Sequence, residues 1–226
     1  MIERTRHNRA REDSLSRNRI VEESIALLDS RGESGLTFRA LSGRLATGIG
    51  AIYRYIDSKN DLLTAACDAV IADMMSVPPV GATPEATIRA LALSLFDAID
   101  AHPWVGSVLT QAPAQLPTVR VLERIGQQIR SLDVPDDAQW GAVFVLLNYI
   151  LGVSGQNAVN AQIARESGTD KSNFLDELSA MWSELDPHEY PFTRRVAGQL
   201  HVHDDRLDFL AGIDLILGGI GAARSR

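Results

Sequence analysis

A single cysteine, Cys67, stands in the 226 residues, so no disulfide can form within the chain, and a reducing, cytoplasmic compartment is implied. Its apolar neighbours make it a packed thiol rather than a redox sensor. No unbroken apolar run approaches the roughly eighteen residues of a membrane span. The opening residues, MIERTRHNRAREDSLSR, are too polar for a signal peptide, and Glu3, Glu12 and Asp13 argue against a transit peptide. A Gly-rich phosphate loop, HExxH, GxSxG and CxxC are all missing, so no catalytic residue and no cofactor is expected. His188 with His201 and His203 lacks the spacing of a metal site. Strand-type alternation with hairpin turns is absent too, which leaves an all-α fold.

The most informative stretch is Thr37 to Ile56, TFRALSGRLATGIGAIYRYI. Leu41, Leu45, Ile49, Ile52, Tyr53 and Ile56 recur at helical intervals, interrupted once by Thr47-Gly48. The spacing predicts a helix from Phe38 to about Leu45, capped by Thr37, a turn relieved by glycine, and a second helix from Ile49 to about Tyr55. Helices so close in sequence must cross and bury Leu41, Leu45 and Ile52 between them. The outer side of the second helix, with Gly50, Arg54, Tyr55 and marginally Tyr53, is then free to enter a DNA major groove.

The flanks extend the unit. Arg17 to Ser30 carries Ile20, Val21, Ile25, Leu27 and Leu28 on one side and ends near Arg31-Gly32. Downstream, Ser58 can cap a fourth helix with Asp61 as its reciprocal partner, and Lys59 lies in a first turn that already favours a phosphate. Charge follows the same division. Residues 1–60 hold eleven Lys+Arg against eight Asp+Glu, net +3, and the remainder eleven against twenty-one, net −10, which sum to −7. An acidic body with a basic head is compatible with nucleic-acid binding. Arg4, Arg6, Arg9 and Arg11 form a basic, flexible arm over residues 1–15, readable either as a solvated tail or as a contact to phosphates or the minor groove.

After Pro78–Pro84 the chain reads as helices at Pro84–Ala101, Trp104–Leu109, Thr118–Leu132, Ala138–Arg165, Lys171–Leu185 and from Asp204 or Asp205 to about Gly219, with a proline-broken stretch around Tyr190 and Phe192. Val143 to Val153 and Phe209 to Ile220 are apolar nearly all round and dotted with glycine. Such helices need cover on every side, either as an ordinary core or by pairing with their twins across a two-fold axis. Polar or aromatic groups on apolar helices, His102, Trp104, Asn148, Tyr149, Asn157 and Trp182, are candidates to meet a small molecule, and each also fits a core or interface position.

The pattern resembles the TetR (tetracycline-repressor) family of bacterial transcription regulators. It is carried by Ile20-Val21, Ala26-Leu27-Leu28, Gly35-Leu36-Thr37-Phe38-Arg39, Leu41, Leu45, Ala51 to Ile56, and Ser58-Lys59-Asn60-Asp61-Leu62-Leu63. Where such proteins usually carry Gly-Val-Ser through the turn, this chain has Ala46-Thr47-Gly48. The resemblance implies a DNA-binding domain over 16–76 and an effector-binding and dimerisation domain over 84–226. The residues expected at the duplex are Thr37, Arg39, Gly48, Gly50, Ala51, Tyr53, Arg54, Tyr55 and Lys59. His102-Pro103-Trp104 and Leu207 to Gly219 resemble the body of the tetracycline-repressor branch, whose last long helices form the dimer. Phe144, Leu147, Leu151, Gly155, Phe209, Gly212, Ile213, Ile216 and Ile220 are accordingly the expected interface. His102 is similar by position to a histidine that helps hold a metal–drug complex in the founding member, but Pro103-Trp104 departs from that context and no metal is expected. The function implied is a homodimeric repressor that reads a palindromic operator and is released by a small molecule. The rival classes are an all-α enzyme and a helical interaction module without DNA.

Overall fold

The computed structural model describes residues 15–76, 83–166, 171–200 and 204–224, and among them every regular element is helical. The elements are α1 (Arg17–Gly35), α2 (Phe38–Arg44), α3 (Ile49–Ile52), α4 (Lys59–Ser76), α5 (Pro84–Ala101), α6 (Trp104–Gln111), α7 (Leu116–Ser131), α8 (Asp136–Glu166), α9 (Lys171–Ser183), α10 (Pro191–Ala197) and α11 (Asp205–Arg224). The basic arm and the His201/His203 pair lie outside the described residues.

Local chemistry places the starts. The side chains of Ser16, Thr37 and Thr83 accept from the backbone N–H three residues on, at 3.2, 3.1 and 3.2 Å. Each thereby satisfies a donor that the first helical turn leaves open. At α4 the capping is reciprocal: the Asp61 N–H donates to Ser58 Oγ at 3.0 Å, and the Asp57 N–H to Asp61 Oδ2 at 3.2 Å. Gly32 breaks α1 where the sequence expected its end, with φ 64° and ψ −174°, a conformation open to glycine and strained for other residues.

Two helix starts differ from expectation for one reason. The sequence reads Pro191 as a breaker and Pro117 as part of a loop, yet Pro191 begins α10 and Pro117 is the second residue of α7. In a first turn the missing N–H has no partner to lose, and the fixed φ suits the helix. The second helix of the Thr37–Ile56 motif is also shorter than expected. α3 stops at Ile52, and residues 53–55 form a tight turn in which the Tyr55 N–H donates to the Ile52 carbonyl at 2.9 Å. That turn returns Ile56 to the core, where it is buried along with Ile52.

Among the described residues the chain divides into two compact units, 15–76 with 107–121, and 83–106 with 122–224. In the first, α1 packs on α2 and α4, and α2 on α3, around Ile20, Leu27, Leu28, Leu41, Ile52, Leu62 and Ile71. Buried Thr118 closes residues 107–121 by donating to the Ala112 carbonyl at 3.1 Å, and Arg120 pairs with Asp68 of α4 at 2.8 Å. In the second, α5 packs on α8 and α11, α8 on α11, and α9 on α10. Here the sequence expectation about membranes needs correcting. No charge occurs from Ala138 to Ala164, and α8 is long and apolar enough to cross a membrane, with 33% of its most apolar window buried. Counting unbroken apolar runs misses this because Asn148 and Asn157 interrupt the sequence without adding charge.

The turn before α3 holds a second correction. Gly48 is extended, with φ −77° and ψ 145°, and serves as the N-cap; the left-handed residue is Ala46, with φ 48°. A side chain in that region costs roughly 1 kcal/mol. Ala46→Gly is therefore expected to raise unfolding free energy by about 0.5–1 kcal/mol, and Gly48→Ser, whose Cβ meets nothing within 4 Å, by a few tenths more through a hydroxyl cap. Urea titration checks both, and a loss of stability in Ala46→Gly contradicts the assignment. Cys67 supplies a pH test. Burial, and secondarily the Asp68 charge, push its thiol from 9.0 up to about 12. The folded chain thus holds the proton more tightly than the unfolded one. The contribution is complete below pH 9 and declines as pH rises towards 12. Denaturation across that window should show an alkaline loss in the native chain that Cys67→Ala lacks.

Candidate nucleic-acid interface and small-molecule cavity

The expected DNA-contacting residues gather on the outside of one corner of the head. Thr37, Arg39, Gly48, Gly50, Tyr53, Arg54, Tyr55 and Lys59 are exposed and Ala51 is half-buried, while Leu41, Ile52 and Ile56 beneath them are sealed. Nothing lies within 4 Å of a Cβ built on Gly48 or Gly50, so the surface is open there to close approach.

Several of these side chains are already oriented. Tyr53 stacks on Phe38, rings 4.5 Å apart and 16° from parallel, which holds a half-exposed aromatic outward. The Lys59 ammonium donates to the Glu33 carbonyl at 2.6 Å, leaving two N–H groups for an anion. Thr37 uses its hydroxyl oxygen as the α2 cap. The Tyr55 hydroxyl donates to the Leu15 carbonyl at 3.0 Å. Arg44, which the sequence did not single out, pairs with Glu23 at 2.6 Å, whereas the guanidinium groups of Arg39 and Arg54 have no partner among the described residues. Phe38 and Glu33 were missed as supports because their roles come from tertiary contacts.

The expected dimer residues separate into two groups. Phe209 and Ile213 are wholly buried within the protomer and Leu147 nearly so, so they belong to its own core and not to an outer face. Phe209 meets Phe96 of α5 at 4.9 Å between ring centroids and Tyr149 of α8 at 5.7 Å. Gly212 is also used inside: a Cβ there would lie 1.9 Å from the Tyr149 hydroxyl oxygen, so its absence lets the tyrosine ring lie against α11. Leu151, Gly155, Ile216 and Ile220 are half-buried, and Phe144 is 52% exposed. The side chains that stand out are others the sequence did not choose. Trp140 is 65% exposed on α8 and Leu215 79% on α11, and Val145, Val159, Ile163 and Leu207 on the same two helices are exposed as well. Trp140 and Phe144, four residues apart, bring their rings within 6.0 Å, a spacing that puts them on one face.

The described residues of the second unit form an open cavity of about 300 Å³ between α8 and α11. Tyr149, Gly152, Val153 and Phe209 make its apolar side, and Gln156, Asn157, Asn160, Asp205 and Asp208 its polar side. Of the six small-molecule candidates it brings Tyr149 and Asn157 together. Tyr149 donates to the Phe209 carbonyl at 3.1 Å, and burial, then the Asp208 charge, raise its pKa. Asn157 donates to Asp100 of α5 at 3.4 Å. The other four lie outside the lining. Trp104 is buried with the His102 ring 6.0 Å away, Asn148 donates to the Phe144 carbonyl at 2.7 Å, and Trp182 is half-buried on α9. Asp205 and Asp208 were missed because a sequence reads them as the acidic start of a helix.

Comparison with known proteins agrees with this architecture. The family model for the tetracyclin repressor-like C-terminal domain matches residues 78–224. The transcriptional regulator SCO7222, a TetR from Streptomyces coelicolor, superposes with a TM-score of 0.84 at 46% identity, covering 93% of this chain and 100% of that one. The HTH-type transcriptional repressor DrrR1 of Streptomyces coeruleorubidus is 24% identical over 219 residues, 95% of this chain and 80% of that protein. ActR from Streptomyces coelicolor, solved in complex with actinorhodin, shares the fold with a TM-score of 0.76 at 22% identity, covering 94% of this chain and 100% of that one. Matched over more than half its length by that family model, and with its head in helix–turn–helix form, the chain belongs to the TetR family of transcriptional regulators.

Proposed function

We propose that the protein is a homodimeric repressor, acting in the cytoplasm without catalysis, that holds a palindromic operator and is released by a small molecule. The observation that carries the DNA-binding part is the exposed corner formed by α3 and the start of α4. Gly48 and Gly50 allow close approach there, and Arg39, Arg54 and Lys59 supply cations, the first two without a partner among the described residues. The name of DrrR1 marks that relative as a repressor, and the ActR complex shows a protein of this fold holding a small molecule. Residues 16–76 serve as the DNA-binding domain and 84–226 as the body.

The apolar outer faces of α8 and α11 pair with a second copy. Trp140 and Phe144 on one face of α8 and Leu215 on α11 are apolar side chains that water would otherwise cover, and a two-fold axis pairs them with their twins. Dimerisation sets two copies of α3 about 34–36 Å apart, one helical turn of DNA. The α8–α11 cavity receives the effector, and its two carboxylates with an aromatic floor suit a cationic molecule with a planar apolar part. Effector and operator each weaken the other's binding by the same factor.

The first test is retention of promoter DNA from the gene's own neighbourhood in a gel shift at rising salt. Sequence-dependent binding with a steep salt slope is expected, and indifference to sequence contradicts the reading. Arg54→Ala should lower affinity, and Lys59→Ala should weaken all duplexes alike and flatten the slope by about 1. Gly212→Ala should displace the Tyr149 ring towards the cavity. A stability loss of about 1–3 kcal/mol is expected from the overpacking, together with a weaker effector response. Thermal unfolding and effector titration of the DNA complex measure the two, and an unchanged response removes Tyr149 from the effector site.

A further inference from the structure

The helix assigned to the major groove has no side chain that can hydrogen-bond to a base. α3 is Ile49-Gly50-Ala51-Ile52, and none of these side chains carries a donor or an acceptor. Ile52 is sealed in the core and Ala51 is half-buried, which leaves Ile49, at 40% exposure, as the one large side chain that α3 offers to solvent. The helical spacing groups Ile49 with Leu45 and Ile52, yet it is not covered as they are. Both its neighbours are glycines, and a Cβ built on either meets nothing within 4 Å, so the branched apolar group stands clear on both sides. Exposed apolar surface is stabilised by contact with other apolar surface. The floor of the major groove offers one such group, the C5 methyl of thymine, and the residues that open a recognition helix are those that reach base edges. Arg39 and Arg54, without a partner among the described residues, supply the charge complementarity that draws a duplex to this corner.

We propose that Ile49 reads a thymine in each half-site through its C5 methyl group. Ile49 is then a specificity-determining residue that works by apolar contact and not by charge. This rests on the DNA-binding reading above.

The test uses the full-length chain and the promoter fragment it retains, with affinity measured by fluorescence anisotropy. Thymines of the fragment are replaced one at a time by deoxyuridine, which lacks only the methyl group and keeps every hydrogen-bonding edge. For the native chain, one position in each half-site should weaken binding about fourfold when replaced, and the two together about fifteenfold. Ile49→Ala should bind the thymine and uracil fragments equally, and Ile49→Val should keep most of the discrimination. Neither variant should alter the dependence of affinity on salt, because the isoleucine displaces no counterion. The inference is overturned if no replacement weakens binding by the native chain. It is overturned equally if the loss on replacement persists undiminished in Ile49→Ala, which would assign the methyl group to another side chain. Both results leave the native chain bound to its unmodified fragment, so the DNA-binding reading survives them. Failure of the native chain to prefer any sequence instead overturns that reading, and the inference with it.

Discussion

From Ala138 to Ala164 the chain carries no charge, and water is a poor neighbour for a helix of that composition. α8 answers this on one side with α5 and α11, burying Val143, Leu146, Leu147, Ile150 and Ala158. Burial of each large apolar side chain of this kind is worth about 1.5–3 kcal/mol, which makes the α5–α8–α11 cluster the main source of cohesion in the second unit. The opposite side keeps Trp140, Phe144, Val145 and Val159 outward, and α11 adds Leu215 and Leu207. The same hydrophobic demand that builds the protomer core is therefore left unmet on an outer face, and the proposed second copy meets it.

The head is built in the contrary way. The two helices of its motif, α2 and α3, are short, and the head is held by capping side chains at the starts of α1, α2 and α4 and by contacts between distant segments. Lys59 to the Glu33 carbonyl, Arg44 to Glu23 and Tyr55 to the Leu15 carbonyl each join elements far apart in sequence. These exposed contacts contribute modestly to stability, and their effect is to fix where side chains point. α3 itself is only four residues long, so its orientation depends on Ile52 and Ile56 beneath it and on the Phe38–Tyr53 stack beside it. In the proposed repressor this division separates tasks, with α8 and α11 setting the distance between heads and the contact network presenting each head to the groove.

What could be read in advance follows the range of the interaction. Thr37, Ser58 with Asp61, and Thr83 announce helix starts because a cap and its N–H partner lie within three residues. Family resemblance was legible because Tyr53-Arg54-Tyr55 and Ser58-Lys59 sit at fixed spacing. Pro191 was misread because proline interrupts a helix and also begins one, and position alone decides between them. Ala46 was missed because a glycine two residues away offered a simpler account of the turn. Phe209 and Leu215 look alike in a helix apolar all round, yet one is sealed against Phe96 and Tyr149 and the other is 79% exposed. Which side of such a helix faces inward depends on the helices packed against it, and a periodic pattern saturated with apolar residues carries no phase. The cavity escaped for a related reason: Asp205 and Asp208 join Tyr149 and Asn157 only through the packing of α11 on α8.

The central claim is that an uncovered apolar face on α8 and α11 makes the functional unit a pair. Sedimentation equilibrium of the native chain and of Leu215→Arg, each alone and with a duplex bearing the operator, tests it most directly. The account predicts a native particle of twice the 24.6 kDa chain mass that binds the duplex as two chains. Leu215→Arg should keep its helical content, sediment as a single chain and lose most of its operator affinity. A native chain that remains single at micromolar concentration contradicts the claim. So does a single-chain Leu215→Arg that binds the operator as tightly as the native protein.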